Sequence, residues 1–147
     1  MDIIENLRIQ GVKESLIEDV LHFRKEFKVD DEVKHRITKS PAFYIGEDIL
    51  SMCIAAILEE ENILLSGPKA TGKNLLSDNL SEIFGRPQWN TSFHINTDSS
   101  SLIGTDTFID NEVKLRRGSV YECAIHGGFG VFDEINMAKN DAIVVVH

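Results

Sequence analysis

The chain has 147 residues, 42% of them apolar, and a formal net charge of −9. That length and apolar content suit one domain with its own core and exclude a disordered chain. The acidity disfavours general binding to nucleic acid or to anionic membrane surfaces.

Two cysteines, Cys53 and Cys123, lie in apolar helical patterns and read as small core residues of a reducing compartment. No histidine pairs with a cysteine at metal-site spacing. The start, Met1-Asp-Ile-Ile-Glu5, lacks the basic and apolar regions of a signal peptide, and no apolar run approaches membrane-spanning length. A cytoplasmic protein without a membrane partner is expected.

Residues 1–41 read as a helical lead-in. Ser15-Leu-Ile-Glu18 has the form of a capping box, and Leu16, Val20, Phe23 and Phe27 recur at helical spacing. Such a helix packs on the main domain or docks a partner, and packing is the simpler reading. Pro41 marks a break, and the main domain is expected over 42–147. Tyr44-Ile45-Gly46 precedes a helix from about Glu47 to Glu60 that is apolar nearly all round and therefore expected to be buried.

The apolar run Ile63-Leu64-Leu65 predicts a strand over 62–66. It leads into Gly67-Pro68-Lys69-Ala70-Thr71-Gly72-Lys73-Asn74, and then into a helix carrying Leu75, Leu76, Leu80, Ile83 and Phe84. Strand, glycine loop and helix form the context in which G-x-x-x-x-G-K cradles phosphate. The glycines let several backbone N–H groups face one anion. The helix start adds unpaired N–H groups and the positive end of its dipole. Lys73 adds a full charge for the outer phosphates. Asn74 stands where such loops carry a magnesium-binding Ser or Thr.

Gly85 and Pro87 stop that helix. Phe93-His94-Ile95-Asn96 reads as a second strand. Asp98 is expected to cap a short helix through Ile103, in preference to a serine linker. Thr107–Ile109 and Val113–Leu115 flank Asp110-Asn111 as a small hairpin. Its Lys114-Leu-Arg116-Arg117 cluster reads as a solvated hairpin end, not a nucleic-acid site. Ser119-Val-Tyr-Glu122 is a second capping box, opening a helix that Gly127-Gly128 stops. Gly128 to Glu134 reads as an apolar strand ending in two acids. In phosphate-loop enzymes the first such acid holds magnesium and the next polarises water. Ala142 to His147 fits a strand by its β-branched residues and a helix by its position.

Together these motifs resemble the N-terminal part of an AAA+ ATPase module of the MoxR-like, dynein-related branch. The resemblance rests on Tyr44-Ile45-Gly46, Gly67 to Asn74, Ser101-Leu-Ile-Gly104, Gly118 with the helix to Gly127, and Val131-Phe-Asp-Glu-Ile-Asn136. It implies an α/β phosphate-loop fold with a mostly parallel sheet, cut off after the acidic strand. It implies ATP and Mg2+ as cofactors, held by residues 67–75 (through Leu75), with Lys73 on the β- and γ-phosphates. Ile45 and Gly46 would lie near the adenine. Asp133, with Asn74, would serve the metal, and Glu134 would activate water, so Lys73 and Glu134 are the expected catalytic residues. Such proteins form hexameric rings that remodel protein partners, and the hairpin would match an insert near the ring pore.

Three departures accompany the resemblance. Asn74 replaces the hydroxyl residue and is expected to alter metal positioning. The later sensor strand, arginine finger and helical lid have no counterpart. In the family, the strand after the acidic one separates it from the phosphate-loop strand, so the sheet is expected to lack its middle and the chain to be a piece of a larger module. The alternative function is a non-catalytic, nucleotide-dependent interaction module.

Overall fold

The computed structural model describes residues 1–109 and 112–146. Its contacts fall into two units, Met1–Arg86 and Pro87–His147.

The first unit is helical: α1 (Ile3–Gln10), α2 (Glu14–Glu26), α3 (Glu47–Leu58) and α4 (Lys73–Phe84). Ile3, Ile4 and Leu7 put one apolar face of α1 into the core, where Ile17 and Val20 of α2, Leu50 and Ile54 of α3, and Leu76, Leu80 and Ile83 of α4 are also buried. Gly11, at φ 95°, ends α1 and returns its N–H to Leu7 and Arg8 carbonyls, the left-handed cap that glycine adopts without steric cost. The chain then re-enters helix early. Lys13, not Ser15, is the N-cap of α2 and makes no side-chain cap bond, so the first expected capping box is not formed. Phe23 meets Phe84 edge-on at 5.3 Å.

Two arginines close helix ends in this unit. Arg24 donates to Ile83 O at 2.7 Å and Glu82 O at 2.5 Å, at the C-terminus of α4. Arg86 donates to Phe27 O at 3.0 Å, just past the end of α2. Cations there satisfy orphan carbonyls and oppose the negative end of the dipole.

Two further expectations for this unit need correction. α3 buries Leu50, Cys53 and Ile54 but leaves Ile49 and Met52 exposed, so it is buried on one face and not all round. Residues 62–66 form no strand, and Leu64 is 83% exposed. A strand is defined by its hydrogen-bonding neighbour, and among the described residues none pairs with this run.

In the second unit, β1 (Gln88–Ser92) lies parallel to β4 (Phe129–Asp133), from Gln88 opposite Phe129 to Ser92 opposite Asp133. The strand expected at 93–96 therefore sits earlier. Phe93 N–H still reaches Asp133 O at 2.9 Å, but His94 to Thr97 then turns back on itself. Asp98 caps α5 (Ser99–Ile103) as expected, its Oδ1 accepting from Ser101 N at 2.9 Å. β2 (Gly104–Ile109) and β3 (Glu112–Arg117) form the antiparallel hairpin; its expected turn at Asp110-Asn111 lies outside the described residues.

Gly118 is the N-cap of α6 (Ser119–His126) and Gly127 its left-handed stop. The Ser119 hydroxyl meets Thr91 Oγ1 of β1 at 2.5 Å, so the second expected capping box is also not formed. A Cβ at Gly118 would stand 2.1 Å from Leu102 O, which only glycine avoids. The run after residue 139 is helical, α7 (Asn140–Val144). Ala142 is buried with Phe93 and Leu102, and Phe132, Val145 and Val146 pack on them. The α/β class holds, with a small parallel sheet. Among the described residues, no helix is long and apolar enough to cross a membrane.

Candidate functional site

The phosphate loop is built by local backbone geometry. Ala70 (φ 62°) and Gly72 (φ 84°) are left-handed and curl the chain between Pro68 and Lys73. Glycine takes that region freely, whereas a non-glycine such as Ala70 is strained by about 1–2 kcal/mol, the kind of strain that clusters at functional sites. Gly72 is the N-cap of α4, which starts at Lys73. The Lys73 ammonium folds over the loop and donates to Gly67 O at 2.9 Å and Pro68 O at 2.7 Å. Thr71 Oγ1 also donates to Pro68 O, at 2.9 Å. A flexible cation thus lies over the concave loop, beside the start of a three-turn helix. That combination suits a polyphosphate.

A cavity of about 350 Å³ opens beside the loop, lined by Tyr44, Ile49, Leu64, Leu65, Gly67 and Lys73 among others. The Tyr44 ring forms one wall, so near Gly72 that a Cβ there would lie 3.5 Å from it. The backbone at Tyr44 is held by Asn79 of α4. Tyr44 N–H donates to Asn79 Oδ1 at 2.9 Å, and Asn79 Nδ2 donates to Ala42 O at 3.1 Å and Leu75 O at 3.0 Å. Asn79 is 1% exposed. Neither Tyr44 nor Asn79 is among the residues expected from sequence. The available signal was an amide on the apolar face of α4, because a buried amide must find partners.

Of the residues expected to hold the nucleotide, Ile45, Gly46, Gly67, Pro68, Lys69, Ala70, Thr71, Gly72, Lys73, Asn74 and Leu75 all lie in the first unit, and Gly67, Pro68, Thr71 and Lys73 line the cavity. Lys69, Ala70, Thr71 and Asn74 are exposed, as is Ile45. Asn74 sits in the first turn of α4, where its carbonyl accepts from Ser77 Oγ at 2.8 Å. The second unit holds Asp133 and Glu134. Asp133 ends β4 and Glu134, left-handed at φ 55°, follows it. Glu134 N–H donates to Asp133 Oδ1 at 2.9 Å, which fixes the Asp133 carboxylate at the carboxyl end of a parallel strand, where α/β folds bind ligands. Both acids are exposed. Among the described residues, no three His, Cys, Asp or Glu side chains gather as a metal site.

Comparison with known proteins extends these observations. The chain is 30% identical over 128 residues to the uncharacterized protein YojN of Bacillus subtilis (strain 168), which covers 84% of this chain and 42% of that protein. It is 34% identical over 92 residues to uncharacterized proteins of Staphylococcus saprophyticus and Staphylococcus aureus (strain NCTC 8325 / PS 47), covering 59% of this chain and 35% of each relative. The chain thus spans less than half the length of these curated relatives. A family model described as AAA domain (dynein-related subfamily) matches residues 62–147. That match takes in the phosphate loop, the hairpin and the acidic strand end, and covers more than half of the chain: this protein belongs to the AAA ATPase family, in its dynein-related subfamily.

Proposed function

We propose that this chain is the ATP-binding part of a MoxR-like AAA+ ATPase that remodels protein partners and works as a hexameric ring. The observation that carries the reading is the curled loop from Gly67 to Gly72, with Lys73 folded over it at the start of α4. Loop N–H groups and the α4 N-terminus receive the phosphates, and Lys73 exchanges two loop carbonyls for phosphate oxygens. Asn74 and Asp133 are the residues that would hold Mg2+, a metal that keeps several waters and needs few protein ligands. The metal, when bound, supplies charge neutralisation for phosphoryl transfer. Glu134, one residue beyond Asp133, would take a proton from water. Ile45 and Gly46 serve the base.

A second reading rests on Asn74. An amide oxygen can ligate a metal, but it is longer than a hydroxyl and has no O–H to donate. On that reading the chain binds ATP and assembles without turnover.

The test is equilibrium titration of the chain with Mg·ATP, with GTP as competitor, in the unaltered form and in Lys73→Ala and Glu134→Gln. Saturable binding that is lost in Lys73→Ala and kept in Glu134→Gln is expected. Phosphate release abolished by Glu134→Gln supports the ATPase, and no release at any protein concentration favours the interaction module. Equal binding by the unaltered chain and Lys73→Ala overturns the phosphate-loop reading.

A further inference from the structure

The segment before α3 has a second clamp, and it comes from the N-terminal helix. Gln10, the last residue of α1, uses both ends of its amide on the backbone around Ile45. Its Nε2 donates to Tyr44 O at 2.9 Å, and its Oε1 accepts from Gly46 N at 3.0 Å. The orientation is fixed by chemistry, since a carbonyl only accepts and an N–H only donates. The same Nε2 reaches Asn6 Oδ1 at 2.5 Å, and Asn6 is buried in α1.

With Asn79 on Tyr44 N–H, side-chain amides take the Tyr44 N–H, the Tyr44 carbonyl and the Gly46 N–H, where a strand would use a neighbour. The consequence is local. Ile45 is gripped on both flanks, yet its side chain is 76% exposed. The Tyr44 ring beside it borders both Gly46 and Gly72. An apolar side chain on a backbone already fixed leaves only its own rotamer to order when a flat heterocycle packs on it.

We propose that Gln10 is a positioning residue of the nucleotide site: through the Tyr44 and Gly46 backbone it presents Ile45 and Tyr44 to the base, so that α1 sets how strongly the base, as distinct from the phosphates, contributes to binding. The proposal rests on the nucleotide reading of the phosphate loop, and it adds a residue distant in sequence from every nucleotide-binding motif.

The test compares two ligands that share phosphates and differ in the base. ATP and inorganic tripolyphosphate are titrated in magnesium buffer against the full chain, unaltered and as Gln10→Ala, with thermal unfolding of each form. Gln10→Ala is expected to weaken ATP by about 10-fold, the scale of one or two hydrogen bonds, and to leave tripolyphosphate within about 2-fold. Ile45→Ala removes an exposed side chain, so it folds as the unaltered chain does. It is also expected to lose about 10-fold for ATP alone. Equal weakening of both ligands by Gln10→Ala assigns Gln10 a merely structural role and overturns the proposal. So does an unchanged ATP-to-tripolyphosphate ratio in Ile45→Ala. Failure of the unaltered chain to bind either ligand overturns the phosphate-loop reading itself, and this proposal with it.

Discussion

Replacing Asn79 by leucine removes the hydrogen bonds of the α4 clamp while keeping the same branched skeleton of side-chain heavy atoms. Three contacts go: Tyr44 N–H at 2.9 Å, Leu75 O at 3.0 Å and Ala42 O at 3.1 Å. Leu75 O is a helix carbonyl and keeps its partner one turn on. Ala42 is exposed, so water can take over at its carbonyl at little cost. Tyr44 N–H is shielded by the helix it faced, and an unpaired shielded donor costs about 1–3 kcal/mol. The net loss is about 2 kcal/mol, which for a unit of this size lowers the unfolding midpoint by about 10 °C.

Far-UV circular dichroism is the assay, because the three longest helices among the described residues all lie within Met1–Arg86. Trp89, the one tryptophan, belongs to the other unit, and its fluorescence records independently whether β1 is formed. Asn79→Asp sharpens the test. It keeps an acceptor for Tyr44 N–H but turns a carboxylate towards two carbonyls, so it is expected to be less stable than Asn79→Leu at neutral pH. It should regain stability on acidification, as protonation restores a donor. A dichroism midpoint for Asn79→Leu within about 2 °C of the unaltered chain would refute the reasoning, since the clamp would then hold nothing that water does not.

Arg24→Met removes two charge-assisted bonds from the last carbonyls of α4 while keeping the apolar stem that packs by Gly85. Burial lowers the Arg24 pKa, and a half-exposed cation is partly screened, so the expected loss is about 1–2 kcal/mol by urea unfolding; an unchanged midpoint and slope would count against the cap. Asp98→Ala tests the α5 cap by pH. Bonds from Ser101 N–H and Ser100 Oγ hold the Asp98 carboxyl below its ordinary range. A depressed folded pKa means stability that is full above the ordinary aspartate value of about 3.9 and lost as pH falls through the lower folded value. The difference in thermal midpoint between the unaltered chain and Asp98→Ala should therefore be constant near neutrality and shrink only in acid; a difference that instead changes between pH ~5 and ~8 would exclude Asp98 as its source.

Local chemistry was legible in sequence and pairing was not. The loop from Gly67 to Lys73, the stop at Gly85, the Asp98 cap and the Gly127 stop each depend on residues within a few positions, and each stands where the pattern puts it. The strand Phe129–Asp133 was legible because its apolar residues, Phe129, Val131 and Phe132, mark it. Its partner Gln88–Ser92 is polar and was not, since that strand exists only through its ladder to β4. The same logic explains residues 62–66, an apolar run that pairs with no strand among the described residues. The two failed capping boxes have separate causes. Ser119 spends its hydroxyl on Thr91, a contact far away in sequence, and Ser15 lies past the point where the turn after Gly11 starts α2.

The residues least visible in sequence are the ones that tie the lead-in helices to the phosphate loop. Periodicity marks α2 as an amphipathic helix and α4 as the helix after a glycine loop, and nothing in either pattern joins them. In the structure Arg24 of α2 closes the end of α4, Arg86 beyond α4 closes the end of α2, and Phe23 packs on Phe84 between them. From the middle of α4, Asn79 shares with the α1 residue Gln10 the backbone of Tyr44 and Gly46. α4 is thus anchored at its C-terminus by guanidinium groups, while its N-terminus is left to the loop and to Lys73. A polyphosphate arriving there meets a helix whose position is already set, so its binding energy need not go into ordering the helix.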